Sequence, residues 1–89
     1  MSGNSITDTI LLKACDTVEN SLEKFVFENR GKLFAKGMET HIQVQYEMLL
    51  DEILISNGGK LQSLSESQQE YVKDRIKKTL EISKQEYES

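Results

Sequence analysis

Cys15 is the only cysteine of the chain and His41 its only histidine, so any nucleophilic dyad would have to join these two residues. A cysteine nucleophile needs its base within hydrogen-bond reach. Both residues fall in helical patterns. A hairpin turning near residue 33 sets position 15 level with about position 51, and position 41 level with about position 25. At about 1.5 Å of rise per residue, roughly 15 Å then separates the thiol from the imidazole along the helices. The expectation is no dyad, with Cys15 a small buried core residue.

Other chemistries are equally incomplete. One histidine and one cysteine do not supply a zinc site, and neither C-x-x-C nor H-x-x-x-H occurs. Asp51-Glu52 is followed by Ile-Leu-Ile rather than the alternating oxygen ligands of a calcium loop. A di-iron bundle needs Glu-x-x-His, and Met38 stands three residues before His41. Glu19/Glu23 and Glu47/Asp51 pair carboxylates at i, i+4 and read as solvated acidic faces. Asn57-Gly58-Gly59-Lys60 is a fragment of a phosphate loop without its spacing. Together with Gly31-Lys32 and Lys36-Gly37 it reads as a helix stop. No catalytic residue, metal ligand or cofactor is expected, and the chain reads as a non-enzyme.

Charge is segregated along the chain. Residues 29–37 carry Arg30, Lys32 and Lys36 without an acid, whereas residues 38–56 carry four acids and no base. A second basic stripe is Lys73/Arg75/Lys77/Lys78. Either stripe has the charge to touch a phosphate backbone, which makes a small nucleic-acid-associated factor the alternative reading. A pI near 5.0 weighs against it.

The elements that must position these residues are helices. Proline, the strongest helix breaker, is absent. The first helix is expected over about 6–29, capped by Ser5 or Thr7, with Asp8 placed well for the helix dipole. Leu11, Cys15, Val18, Leu22 and Phe25 recur at alternating spacings of four and three, a seam widened by Ile10, Ala14 and Val26. Asn29-Arg30-Gly31 supplies a stop. The second helix is expected over 38–56 and closes at Asn57-Gly58-Gly59. The third is expected over 65–86, opened by a Ser65/Gln68 capping box or by Ser63/Glu66. It presents Val72, Ile76, Leu80 and Tyr87 on one face. Short connections make an antiparallel three-helix bundle the simplest all-α arrangement, free to dimerise or dock on a partner.

Length and composition set the scale of that bundle. With 89 residues, 37% of them hydrophobic, 29% charged and a net charge of −4, the chain is expected to form one domain over 1–89 with a thin core. A lone cysteine forms no internal disulfide. The polar N-terminus MSGNSITDT has no signal-peptide pattern. The best apolar stretch, Met48 to Ile55, is cut by Asp51 and Glu52 and falls short of the ~18 apolar residues of a membrane helix. A cytoplasmic protein that does not enter membranes is expected.

Part of that scarce apolar content has no place in the core. On the second helix Met38, Ile42, Tyr46, Leu49, Leu50, Ile53 and Leu54 fill one broad sector. Val44, Met48 and Ile55 lie nearly opposite, with His41 at the edge. Phe27 lies opposite the seam of the first helix. Tyr71 and Ile82 lie away from the Val72/Ile76/Leu80 face of the third. Helices apolar on two opposed sides are normally sandwiched, but both neighbours in a three-helix bundle sit on one side of a given helix. Phe27, Val44, Met48, Ile55, Tyr71 and Ile82 are therefore the candidate partner-binding residues. They mark a protein-interaction module that binds a second copy or a larger protein, as a subunit of an assembly or as a regulator.

Overall fold

The computed structural model describes residues 6–28 and 36–88. Three helices follow in order: α1 Asp8–Glu28, α2 Lys36–Ser56 and α3 Glu66–Glu88, with a 3-10 turn Leu61–Ser63 between the last two. They form a three-helix bundle without strands among the described residues.

The local rules of capping place each terminus. Thr7 Oγ1 accepts the Ile10 N–H at 3.1 Å and opens α1, with Asp8 in the first turn. Ser5, the other cap expected, lies outside the described residues, as do Asn29-Arg30-Gly31. At the far end of α2 the Gly59 N–H reaches the Leu54 carbonyl and the Gly58 N–H reaches that of Ile55, at 2.9 and 3.1 Å. This is a Schellman closure, and Gly58 takes the left-handed conformation it requires, φ 87°. Ser65 and Gln68 form the capping box of α3: Gln68 N–H donates to Ser65 Oγ at 3.2 Å, and Ser65 N–H donates to Gln68 Oε1 at 3.0 Å. Ser63 does not use the alternative box. Its hydroxyl closes on Lys60 instead, donating to the carbonyl and accepting the N–H.

Gly37 departs from expectation. It sits inside the first turn of α2 rather than stopping a helix. First-turn N–H groups have no intrahelical partner anyway, so a glycine there costs only backbone entropy, about 1 kcal/mol against alanine.

The core lies where the helical periodicities point. Leu11, Ala14, Cys15, Val18, Leu22 and Val26 from α1 are buried against Ile42, Tyr46, Leu50 and Leu54 from α2 and Val72 and Ile76 from α3. Phe25, Met38, Leu49, Ile53 and Leu80 pack partly buried around them. The side chain of Tyr87 lies outside the described residues.

Cross-helix contacts fix the alignment. Gly59 meets Ile6, Tyr46 meets Glu19, and His41 meets Phe25, so the index falls along α2 as it rises along α1. Between α1 and α3 the index rises on both: Asp8 meets Gln68, and Asp16 and Glu19 meet Arg75. His41 accordingly meets Phe25 in a tilted ring contact, 5.6 Å between centroids, at the level expected for it, and Cys15 is buried in the core.

Candidate functional site

Two regions carry the features a site would need: a polar cluster that joins all three helices, and the apolar side chains left outside the core.

The cluster is built around Arg75 of α3. Its Nε donates to Glu19 Oε2 and its Nη2 to Glu19 Oε1, both at 2.7 Å, a two-pronged pairing of guanidinium with carboxylate. Nη2 also donates to Asp16 Oδ1 at 2.7 Å, and Nη1 donates to the Tyr71 hydroxyl at 2.6 Å. The guanidinium carbon lies 5.5 Å from the Tyr71 ring centroid. From α2, the Tyr46 hydroxyl donates to Glu19 Oε2 at 2.6 Å.

Electrostatics follow from that arrangement. The hydrogen bonds to Glu19 hold Arg75 charged, well above the ordinary guanidinium value. Burial pushes the Tyr46 phenol far up, and its hydrogen bond to Glu19 adds to the shift, so Tyr46 remains a neutral donor. Burial likewise raises the Cys15 thiol, partly opposed by its hydrogen bond with Tyr46. A buried neutral thiol is a poor nucleophile. Arg75 and Glu19 spend their hydrogen bonds on other members of the cluster, so the arrangement ties the three helices together.

These contacts correct several expectations. Glu19 is half-buried and shared between α2 and α3 rather than part of a solvated acidic face. Asp51 is also engaged: its Oδ1 accepts the Leu61 N–H at 2.8 Å and pins the 3-10 turn to α2. Tyr71 is partly buried and packs against the core, because α1 lies alongside that flank of α3. Arg75 turns inward, which removes it from the second basic stripe. Lys73, Lys77 and Lys78 are exposed, and Lys73 pairs with Glu70 at 3.6 Å. In the first stripe, Arg30 and Lys32 and the side chain of Lys36 lie outside the described residues.

The apolar remainder is where the helical wheels place it. Val44, Met48 and Ile55 are 45%, 55% and 58% exposed, while Ile42, Tyr46, Leu50 and Leu54 on the opposite side of α2 are buried. Phe27 and Ile82 are exposed as well. Leu12, also exposed, was hidden in the sequence by its position beside the seam residue Leu11. It lines a crevice of about 380 Å³ between α1 and α3 with Asp8, Ser67, Gln68 and Tyr71.

Among the described residues no group of three or more His, Cys, Asp or Glu side chains is arranged to hold a metal ion. Among those residues no helix is long and apolar enough to cross a membrane. Comparison with protein-family models, curated proteins and solved structures gives no match.

Proposed function

We propose that this chain is a non-enzymatic protein-interaction module that binds another protein chain through the outward face of α2. One observation carries the reading: Val44, Met48 and Ile55 form a single exposed apolar stripe behind a fully buried face of the same helix. Among the described residues α3 does not cover the stripe, whose three side chains stay about half exposed. Val44 and Ile55 are eleven positions apart, so the stripe runs about 16 Å along the helix. An apolar stripe of that length on a helix suits helix-to-helix or helix-to-groove docking.

The low amphipathicity of α2 supports the same reading. It is the least amphipathic of the three helices, since its apolar residues are divided between two faces. The reading covers a second copy of the chain or a larger protein as the partner, in the role of assembly subunit or regulator. A free cysteine buried in the core suits a reducing compartment, and the proposed location is the cytoplasm.

The test is a Met48→Asp substitution, with solution mass measured for the purified protein across a concentration series and then in cell extract. The expected result is an unchanged helical circular dichroism spectrum and loss of the association seen for the unsubstituted chain. A substituted chain that unfolds overturns the reading, and so does a native chain that remains monomeric under both conditions.

A further inference from the structure

Asn57-Gly58 is the only asparagine–glycine pair of the chain, and it stands directly behind the last residue of α2. An asparagine side chain carries an electrophilic carbonyl carbon, and the nitrogen of the following residue is the nearest nucleophile. Glycine in that position has no Cβ to shield its nitrogen and leaves the backbone free to rotate. Asn57 and Gly58 are both exposed, so solvent base and water reach them.

The folded stop of α2 turns the two reacting groups to other partners. Asn57 Nδ2 donates to the Ile53 carbonyl at 2.8 Å, one turn back along the helix, whereas the attacking nitrogen lies on the other side, in the next residue. That nitrogen donates its proton to the Ile55 carbonyl at 3.1 Å, and the Gly59 N–H holds the Leu54 carbonyl at 2.9 Å. We propose that Asn57-Gly58 is a deamidation site which the closure of α2 holds off, so that the reaction proceeds through local opening of this helix end. In the open segment the Gly58 nitrogen gives its proton to solvent base and bonds to Asn57 Cγ. The Cγ–Nδ2 bond breaks, and Nδ2 takes up a proton and leaves as ammonia. Water then opens the resulting imide ring at either carbonyl, giving aspartate or isoaspartate.

Either product weakens the closure that delayed it. A carboxylate at 57 has no proton to give the Ile53 carbonyl and stands at the negative end of the helix dipole. Isoaspartate inserts an extra carbon into the backbone just before Gly59, where even an added Cβ would lie 2.5 Å from Ile6 Cγ1. An opening that is reversible in the native chain becomes permanent once the pair has reacted.

The full chain is incubated in mildly alkaline buffer with and without guanidinium chloride, then digested for mass spectrometry. The peptide containing residue 57 reports the exchange of amide for acid, and its fragmentation separates aspartate from isoaspartate. In the denatured chain Asn57 should react before Asn20, whose neighbour is the bulkier Ser21. In the native chain Asn57 should react about tenfold more slowly or slower still. Gly58→Ala should slow the denatured-state reaction several-fold, since the methyl group crowds the attacking nitrogen. Asn57→Asp, which carries one of the two products, should melt about 4–8 °C below the native chain. Equal rates in the native and denatured chains overturn the proposal, as does a denatured chain in which Asn20 reacts first or Gly58→Ala changes nothing. An Asn57→Asp chain that melts with the native protein overturns the claim that the product weakens the closure.

Discussion

Arg75 and Glu19, separated by 56 positions in sequence, meet through two parallel hydrogen bonds of 2.7 Å each. The Arg75 side chain is 19% exposed and that of Glu19 28%. The pair is sheltered enough for its partners to be missed when one is removed. Glu19→Gln and Arg75→Gln should each cost about 2 kcal/mol of stability. The double substitution should cost less than the sum, with a coupling energy of about 1–3 kcal/mol in a denaturant-based cycle. A coupling near zero would place the pair with solvent-screened surface bridges.

Alkaline pH should weaken the fold from its centre. Burial raises Tyr46 above its ordinary value of 10.0 and Cys15 above 9.0. In the pH range above those values the folded chain retains protons that the unfolded chain gives up. Their contribution is therefore fully present below about pH 9 and declines progressively above it. The denaturation midpoint of the native chain should fall between pH 9 and 11. A Cys15→Ala/Tyr46→Phe chain, less stable at neutral pH by about 2–4 kcal/mol, should show a shallower decline over the same range.

Gln68→Glu is conservative by the rules of helix capping, since either side chain completes the box. Here it should destabilise. Gln68 Nε2 donates to the Ile6 carbonyl at 3.0 Å and to Asp8 Oδ1 at 3.2 Å, tying the start of α1 to the start of α3. A carboxylate at 68 loses both donations and faces Asp8 as a like charge. The expected loss is about 2 kcal/mol at neutral pH, partly recovered in acid where the carboxylates are protonated. Thermal melts at the two pH values measure it. Equal melting of both proteins at neutral pH would mean the tether contributes nothing.

Two glycines should respond in opposite senses to alanine. At Gly37 an added Cβ meets nothing within 4 Å, so Gly37→Ala should stabilise α2 by about 0.5–1 kcal/mol. At Gly59 the same atom would lie 2.5 Å from Ile6 Cγ1 and 2.8 Å from Cδ1, closer than van der Waals contact allows with a buried side chain. Gly59→Ala should cost about 1–3 kcal/mol. Combined with Ile6→Ala its own cost should shrink, since the side chain it strikes is gone. Denaturant midpoints of the four proteins decide both points.

What the amino-acid order reveals depends on how far apart the interacting residues lie. The Leu11–Cys15–Val18–Leu22 seam and the Ser65–Gln68 box are legible because their partners recur within one or two turns, where the helical period governs. Val44, Met48 and Ile55 are legible for the same reason: a helical wheel separates the two faces of α2 without knowledge of the other helices. The Tyr46–Glu19–Arg75 cluster is not. Glu19 beside Glu23 reads as a solvated acid and Arg75 among lysines as a surface base. Only the lateral approach of two other helices turns them toward each other. The packing of Tyr71 is hidden for a related reason, since a wheel drawn for α3 alone does not register the flank that α1 covers.

The bundle measures 49 × 20 × 19 Å along its principal axes. The stripe on α2 looks outward from one flank, away from the buried face of the same helix. A helix seated along that stripe would run with the long axis of the bundle and become its fourth rod. The slender shape would then thicken without lengthening, since the added rod lies beside the others and not beyond their ends.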